Sequence, residues 1–546
     1  MVFHSSLPSI QVPTTGVVEF LFENRNNVPD NQPILIDAHS DRTITFGQLK
    51  QNILQFAAGL QDHCQFKTGD VLAIFAPNLV DYPIPLLGAL AAGGTTTPAN
   101  PAYTVKELTH QVSLSDAKVI VCSPENVEVA LETAKNCGLA KNNVFVFGET
   151  VVKGVQPYTH VLLPGRQLDR PATIINPADD ASYLCFSSGT TGLSKGVHST
   201  HTNITANILQ INSLLGPHLS PKKDRILGVL PFFHIFGLTV VIHMSLFWGI
   251  PLVVMTKFDL VHFCETVQKH KISFSCLVPP ILLLLAKHPV ISNYDLSSLR
   301  YVMSGAAPLS AELGDDVQAR LPNLKVTQGY GLTETSPVLT AGPLDNIRPG
   351  TSGILVPNVS IKIITEDGKE AGINERGELW CKGPSIMKGY IKNPEATADC
   401  IDSEGYFHTG DIAIVDEHGH YSIVDRIKEL IKYKGFQVPP AELESLLLTS
   451  PIVADCAVIG VYDTSQATEL PRAYVVLQPS VKASDAVAKE LMDFVASKVV
   501  QYKRLRGGIR FIDAVPKSAS GKLLRRVIKD WVKKEEEENS VSKAKL

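Results

Sequence analysis

Short apolar runs that alternate with helical segments are the feature that most constrains the fold of this chain. Residues 70–75, 118–122 and 144–147 are apolar stretches of strand length, and residues 124–136 between two of them have a helical pattern. Strands that are apolar throughout are buried on both faces, and intervening helices are the connections that a parallel sheet requires. The alternation resumes after residue 200. We therefore predict an α/β fold of stacked, mainly parallel sheets.

Two later regions differ from this pattern. From residue 350 to 425, short alternating runs with turn signals such as Glu366-Asp-Gly368 indicate β-hairpins, and we expect a β-barrel-like region there. Farther on, Pro440 and Ser484 mark two helix starts among strands, which predicts a small α+β domain. A chain of 546 residues exceeds the size of one core. The predicted division is a large N-terminal domain (1–426), a small C-terminal domain (427–533) and a polar tail (534–546).

Composition narrows the possible functions. A net charge of −4 gives no electrostatic reason to expect nucleic acid as a partner. Nine cysteines without a C-x-x-C pair argue against a disulfide framework and a thiolate zinc site, and suit a reducing compartment. The most apolar run, 238–255, contains His243, Gly249 and Pro251, which favours a buried helix and strand over a membrane span. No secretory signal is expected at the N-terminus.

One apolar strand, ending at Phe186, leads into a loop of hydroxyl and glycine residues. The loop is Ser187, Ser188, Gly189, Thr190, Thr191, Gly192, Leu193, Ser194, Lys195 and Gly196. Glycines allow close backbone approach, and the hydroxyls and the ammonium supply donors and charge, a combination that binds phosphate. The Walker A pattern cannot be placed on it. A surface turn of the same composition is the alternative interpretation.

The order of residues in this loop resembles the phosphate-binding segment of the acyl-adenylate-forming enzymes, which include acyl-CoA synthetases, beetle luciferases and peptide-synthetase adenylation domains. Two further segments match in the same order: residues 328–335 (Gln-Gly-Tyr-Gly-Leu-Thr-Glu-Thr), and residues 406–411 (Tyr-Phe-His-Thr-Gly-Asp) followed by Asp425-Arg426. The resemblance covers nearly the whole chain. It implies ATP and Mg²⁺ at a large N-terminal domain, beside a small C-terminal domain that moves.

The resemblance also implies roles for individual residues. Thr333 would contact the α-phosphate, Glu334 would bind Mg²⁺, and Asp411 with Arg426 would hold the ribose, since a carboxylate can accept from both ribose hydroxyls. The full set implied for ATP or AMP is Ser187, Ser188, Gly189, Thr190, Thr191, Lys195, Ala306, Gln328, Gly329, Tyr330, Thr333, Asp411, Arg426, Lys428, Lys432, Gln437 and Lys522. Those implied to be catalytic are Lys522, Lys195, His234, Glu334 and Thr333.

Lysines of the C-terminal region receive distinct roles from the same resemblance. Lys522 would enter the active site during adenylation, and Lys428 would lie at the hinge. The residues implied to bind coenzyme A are Lys257, Lys434 and Gly435. The small domain would therefore serve two half-reactions with two faces and move between them. Considered without the resemblance, these lysines are ordinary solvated side chains.

The acyl pocket is predicted from the segment Phe232-Phe-His-Ile-Phe236, whose histidine resembles the one that flanks the acyl carboxylate; a buried core histidine is the alternative. The predicted lining is His234, Phe236, Val240, Met303, Gly331, Pro337 and Val338. It is mostly apolar and suits an aryl-alkanoic, arylalkenoic or medium-chain acid. Residues 431–437 and 517–522 resemble the 4-coumarate–CoA ligase-like branch, although this lining offers no donor for a phenolic hydroxyl.

Taken together, the motifs predict an ATP-dependent carboxylic acid–CoA ligase that acts through an acyl-AMP. A luciferase-type oxygenase shares the nucleotide motifs, a peptide-synthetase type of adenylation domain is a further alternative, and a non-catalytic nucleotide-binding protein is the alternative from another class. The last three residues, Ala544-Lys545-Leu546, resemble the S-K-L peroxisomal address. They predict an import receptor as a partner and a peroxisomal location, with the cytoplasm as the alternative.

Overall fold

The computed structural model describes residues 1–174, 176–187, 194–434, 436–463, 466, 468–518 and 521–544, with the backbone alone for 536–544. The α-helices are Val17–Phe22, Phe46–Cys64, Pro83–Ala91, Val105–Ser115, Val127–Asn136, Tyr158–Val161, His201–Leu215, Met244–Trp248, Leu260–His270, Pro279–Lys287, Ala311–Arg320, Pro394–Ala398, Pro440–Leu448, Asp485–Lys498 and Arg525–Ala544. Gly237–His243 is a π-helix. Short 3₁₀ helices lie at Pro124–Asn126, Lys141–Asn143, Gly216–His218, Pro289–Asn293, Thr333–Thr335 and Gln501–Lys503.

Two large sheets carry the N-terminal part of the chain. The seven-stranded sheet has the order Gly389–Tyr390, Lys195–Thr200, Ala181–Ser187, Thr95–Ala99, Val71–Phe75, Ala117–Cys122, Val144–Val146. The nine-stranded sheet has the order Ile354–Leu355, Val338–Ala341, Lys325–Gly331, Tyr301–Ser304, Phe274–Leu277, Ile226–Gly228, Leu252–Val254, Pro33–Asp37, Thr43–Thr45. The central strands of both sheets pair in parallel, which confirms the α/β prediction.

Buried strands form the centre of each large sheet. All five residues of Val71–Phe75 are buried, because helices cover both faces of a parallel sheet. At the edge, Thr200 ends a strand and caps the helix His201–Leu215: its hydroxyl accepts from the Asn203 amide at 3.1 Å, and the Asn203 side chain accepts from the Thr200 amide at 2.9 Å. This reciprocal cap starts the helix directly after the strand.

The predicted barrel-like region is an open antiparallel sheet of five strands. Its order is Val2–His4, Ser360–Ile364, Gly377–Lys382, Phe407–Val415, Tyr421–Arg426. The two edge strands do not pair with each other, so the sheet does not close within the described residues. The prediction of antiparallel hairpins at residues 350–425 is therefore confirmed, but these strands form an open sheet and not a barrel.

The C-terminal region has a core of its own. Its sheets are the hairpin Ile431–Tyr433 with Phe436–Val438, and the three strands Val453–Asp463, Thr468–Leu477 and Ile509–Phe511. Two apolar clusters fill this region, and their buried members all lie between Ile431 and Val532. The helices start at Pro440 and after the N-cap Ser484, as predicted.

The apolar run at 238–255 forms the π-helix, the helix Met244–Trp248 and the strand Leu252–Val254, all buried. In the described part of the chain, no helix has both the length and the apolar character needed to cross a membrane.

Candidate active site

A cavity of about 1330 Å³ lies where the three sheets of the N-terminal part meet the C-terminal region. Each of these four parts contributes to its wall: Lys195 from the seven-stranded sheet, Met303 from the nine-stranded sheet, Arg426 from the five-stranded sheet and Lys522 from the C-terminal region. The side chains that the sequence placed in separate motifs therefore surround one space.

The wall for phosphate is built on a strand pair. Ala181–Ser187 and Lys195–Thr200 are antiparallel, with Ser187 directly opposite Lys195, so both ends of the glycine-rich loop reach the cavity. Ser194 also lines the cavity, and its carbonyl oxygen is 3.0 Å from Nε2 of His110. Residues 188–193 lie outside the described residues, which includes the predicted Ser188, Gly189, Thr190 and Thr191.

Glu334 is a buried carboxylate beside this strand pair. It follows Thr333 at the start of the 3₁₀ helix Thr333–Thr335, and its side chain is 7% exposed. The Tyr390 hydroxyl donates to Glu334 Oε1 at 2.9 Å, and the Lys195 ammonium lies 4.7 Å from the centre of the Tyr390 ring. Burial raises the pKa of Tyr390, and the Glu334 carboxylate raises it further, so the hydroxyl stays protonated and donates.

A second carboxylate, Asp411, accepts hydrogen bonds from two side chains of the cavity lining, Tyr330 and Arg426. The Tyr330 hydroxyl donates to Oδ2 at 2.6 Å, and Arg426 Nε donates to Oδ1 at 3.1 Å. Pairing of the strands places Asp411 opposite Arg426. Burial raises the pKa of Asp411, while the Arg426 charge opposes that shift. A carboxylate has about four lone-pair positions, so Asp411 retains acceptor capacity for hydroxyls of a ligand.

His234 lies in the cavity wall as a neutral imidazole. Burial lowers its pKa to about 4, and the nearby Lys522 charge contributes to the same shift. The Phe236 amide donates to His234 Nδ1 at 3.3 Å, so the proton of the neutral ring belongs on Nε2. His234 is therefore available as an uncharged donor in the cavity.

Lys522 reaches the same space from the C-terminal region. Burial lowers the pKa of its ammonium and Arg426 lowers it further, whereas three carboxylates raise it: Glu429, Asp411 and Glu334. The preceding Gly521 has φ +79°, and a Cβ built on it would be 3.0 Å from Cγ2 of Val278. This close approach brings the Lys522 loop onto the N-terminal part.

Comparison with known protein families gives two matches. The family described as AMP-binding enzyme matches residues 21–391, and its C-terminal domain matches residues 442–522. The chain belongs to the AMP-binding enzyme family.

Relatives within this family are similar over nearly their whole length. A probable 4-coumarate–CoA ligase 1 of Dictyostelium discoideum is 40% identical over 97% of each chain, and 4-coumarate–CoA ligase 1 of Petroselinum crispum is 40% identical over 96% of each. Among solved structures, the anthranilate CoA ligase AuaEII in complex with anthranoyl-AMP has a TM-score of 0.86 at 25% identity, covering 95% of this chain and 97% of that one. ATP-bound MatB from Rhodopseudomonas palustris has a TM-score of 0.84 at 27% identity, with 94% and 98% covered.

In this AMP-binding enzyme, most of the predicted site residues line the one cavity. They are Ser187, Lys195, His234, Phe236, Met303, Ala306, Gly329, Tyr330, Gly331, Thr333, Glu334, Pro337, Val338, Arg426, Lys428 and Lys522. Asp411 is held at its edge by Tyr330 and Arg426. Of the predicted acyl lining, Val240 alone does not line the cavity; it is fully buried in the π-helix Gly237–His243.

Other predicted residues lie elsewhere in this arrangement. Gln328 faces a separate cleft of about 210 Å³, where its Oε1 accepts from the Leu309 amide at 3.0 Å. Lys257 is exposed on a loop after the strand Leu252–Val254. Lys432 and Lys434 are exposed on the hairpin at 431–438, and Gly435 lies outside the described residues. Gln437 of the same hairpin donates to Glu366 of the five-stranded sheet region.

Tyr390 is the site residue that sequence reasoning missed. It comes 56 residues after Glu334, in the two-residue strand Gly389–Tyr390. Only the local run Met387-Lys-Gly-Tyr390 marks it, and nothing in that run indicates a catalytic role. Within the described residues, no group of three or more His, Cys, Asp or Glu side chains could hold a metal ion.

Proposed function

We propose that the protein is an ATP-dependent carboxylic acid–CoA ligase, which converts the acid to an acyl-AMP and then to an acyl-CoA thioester. The proposal depends on one observation: Lys195, His234 and Lys522, from three separate motifs, line one cavity. Relatives named 4-coumarate–CoA ligases and a solved CoA ligase with anthranoyl-AMP support this assignment.

In the first half-reaction, a carboxylate oxygen of the acid attacks the α-phosphorus of ATP and pyrophosphate leaves. Lys195 and Lys522 would stabilise negative charge on the phosphates, since fixed cations in a buried site are worth more than in water. The neutral His234 would donate from Nε2 to the acid's carboxylate and orient it without forming a competing ion pair. Asp411 would accept from the ribose hydroxyls.

Mg²⁺ would be held by Glu334 together with phosphate oxygens of ATP. One Glu334 oxygen accepts from Tyr390, which leaves the other for a cation, and the Thr333 hydroxyl is adjacent in sequence. Mg²⁺ in nucleotide sites is usually bound by one or two carboxylates plus substrate phosphates. Glu334 and Thr333 therefore fit a Mg²⁺ ion that arrives with ATP. The ion supplies neutralisation of phosphate charge when it is bound.

In the second half-reaction, the CoA thiolate attacks the acyl carbonyl carbon and AMP leaves. This step would follow a rotation of the C-terminal region that withdraws Lys522 and brings Lys434 towards the cavity. The contacts next to the predicted hinge favour a pivot at Lys428: the Ile427 amide donates to the Gly410 carbonyl at 2.9 Å on one side, and Glu429 accepts from Arg525 at 2.5 Å on the other. During that rotation, Gln437 would break its hydrogen bond to Glu366 and contact the adenylate instead.

An arylalkenoic, aryl-alkanoic or medium-chain acid is the proposed substrate class. The wall near His234 is apolar, with Phe236, Met303 and Val338. A Cβ at Gly305 would lie 2.9 Å from Phe236, so absence of a side chain there makes room for the aromatic ring that forms the wall. Apolar walls of this kind bind uncharged acyl chains or rings and disfavour a second charge.

The C-terminal tripeptide supports a second proposal, that the enzyme is imported into peroxisomes. Residues 544–546 are Ala-Lys-Leu, close to the S-K-L address that an import receptor reads.

A panel of purified acids tests the proposed function. The protein is incubated with ATP, Mg²⁺ and CoA against cinnamic-type, phenylalkanoic and fatty acids of graded length, and AMP and acyl-CoA are measured. We expect thioester with aryl or medium-chain acids and little with dicarboxylic or very short acids. Absence of acid-dependent pyrophosphate release across the panel would refute the assignment. Acyl-AMP formed without any thioester would move the protein to the luciferase-type or carrier-dependent alternatives.

A further inference from the structure

Tyr390 lies between the two charged groups that the proposed function assigns to phosphate and metal. Its hydroxyl donates to Glu334 Oε1 at 2.9 Å, and the Lys195 ammonium is 4.7 Å from its ring centre. The same side chain thus contacts a carboxylate with its edge and an ammonium with its face. None of the three resembled motifs includes this residue.

The backbone around Tyr390 is fixed by the phosphate strand itself. Tyr390 pairs with Val197, and the Ile391 amide donates to the Gly196 carbonyl at 2.9 Å. On its other side, the Tyr390 amide donates to the Thr397 hydroxyl at 2.9 Å. Because Tyr390 and Lys195 belong to paired strands, the ring moves with the lysine that it contacts.

This arrangement has an electrostatic consequence. An ammonium and a buried carboxylate that meet directly form an ion pair, and each then satisfies the other instead of a ligand. The Tyr390 ring offers the Lys195 charge a weak, non-competing partner, and its hydroxyl occupies only one of the two Glu334 oxygens. Lys195 keeps its three N–H donors for phosphate, and Glu334 keeps an oxygen for a cation.

We propose that Tyr390 is a positioning residue that keeps Lys195 and Glu334 separately oriented, Lys195 towards phosphate and Glu334 towards a divalent cation. This inference rests on the proposed function, because it takes ATP and a divalent cation as the ligands of those two groups. The inference goes beyond the proposed function by giving the Tyr390 ring a role in phosphate binding, through Lys195, and the Tyr390 hydroxyl a role in cation binding, through Glu334.

Two variants of Tyr390 separate the two contacts. Tyr390→Phe keeps the ring under Lys195 and removes the hydroxyl that holds Glu334; Tyr390→Leu removes both. Tyr301→Phe is the matched control, since Tyr301 also begins a strand and has a cation, Arg300, at 4.9 Å from its ring, in the nine-stranded sheet. Circular dichroism checks that each variant is folded.

The readout is binding, which needs no acid. Mn²⁺ binding is measured by electron paramagnetic resonance in the presence of a non-hydrolysable ATP analogue, and analogue binding without metal is measured by calorimetry. Loss of a hydrogen bond to a charged acceptor predicts roughly tenfold weaker Mn²⁺ binding in Tyr390→Phe, with metal-free analogue binding changed by less than about twofold. Tyr390→Leu should weaken both, and Tyr301→Phe neither.

Kinetics give a second, independent readout. In acid-dependent pyrophosphate–ATP exchange, Tyr390→Phe should raise the Mg²⁺ concentration for half-maximal rate by about the same factor, and saturating Mg²⁺ should restore the rate. Unchanged Mn²⁺ binding in Tyr390→Phe would overturn the inference. Equal weakening of Mn²⁺ binding and of metal-free analogue binding in that variant would overturn it as well. Because the binding comparison uses no acid, it decides on Tyr390 even if the acid panel refutes the proposed function.

Discussion

Gly521→Ala should slow adenylation selectively, because Gly521 of the Lys522 loop packs closely against Val278 of the N-terminal part. The residue has φ +79°, and an added Cβ would lie 3.0 Å from Val278 Cγ2. Real Cβ atoms are rarely so close to another carbon, so Val278 or the loop must shift. That contact exists in the orientation that brings Lys522 into the cavity, and the proposed rotation of the C-terminal region would remove it.

The magnitude follows from two costs. A left-handed φ costs a non-glycine residue about 1 kcal/mol, and it acts in either orientation of the C-terminal region. The contact with Val278 adds roughly 1 kcal/mol in one orientation alone, by analogy with mild overpacking. The first cost is common to both half-reactions, so the contact alone predicts that adenylation falls about fivefold more than thioester formation from supplied acyl-AMP.

Two further variants isolate the contact. Gly508 has the same φ, +79°, with nothing within 4 Å of an added Cβ, so Gly508→Ala carries the backbone cost alone. Val278→Ala in the Gly521→Ala background restores the missing space. We expect Gly508→Ala to leave pyrophosphate exchange nearly unchanged and the double variant to recover part of the rate. Equal losses in both half-reactions, or no recovery in the double variant, would refute the reasoning.

Four other perturbations test separate parts of the account. Lys522→Ala should abolish most pyrophosphate exchange, by roughly a hundredfold or more, yet keep thioester formation from supplied acyl-AMP; equal loss would contradict the two-face scheme. Because burial lowers the pKa of Lys522, its ammonium should deprotonate, and the exchange rate should decline, at a lower pH than an ordinary lysine would give. His234, with a pKa of about 4, should cause no loss of rate at about pH 5 and above in the same pH–rate profile. Arg525→Met leaves the buried Glu444 and the partly buried Glu429 without their cation and should lower the unfolding free energy by about 3 kcal/mol in denaturant titration; a change under about 1 kcal/mol would contradict this. Deletion of residues 544–546 should make punctate localisation diffuse in cells without affecting activity in vitro; persistent puncta would remove the address.

The fold was predictable where apolar runs mark buried strands. Val71–Phe75 and Ala117–Cys122 are such runs, and their pairing in parallel follows from the helices between them. The strand Thr95–Ala99 was not recognised, because three of its residues are threonines. Their hydroxyls are buried by bonding to backbone carbonyls, for example Thr95 to Ala181 and Thr97 to Leu184, both at 2.8 Å. Hydrogen bonds of this kind, from a hydroxyl to a carbonyl of a strand that is distant in sequence, cannot be recognised from the sequence pattern alone.

The site was predictable where several residues follow one another in a motif. Glu334 and Asp411 each belong to such a run; Glu334 lines the cavity, and Asp411 is bonded to two residues that line it. Tyr390 was not predictable, because its contact with Glu334 depends on a pairing of strands that are far apart in sequence. The place of Gln437 was not predictable either, since it depends on how the C-terminal region is oriented.

Acid-dependent exchange of labelled pyrophosphate into ATP tests the central claim most directly, because it requires the acid, the nucleotide and the cavity that joins them but not CoA. We predict exchange that depends on an aryl or medium-chain acid and is lost in Lys522→Ala. Exchange that is absent with every acid, or that Lys522→Ala leaves intact, would contradict it.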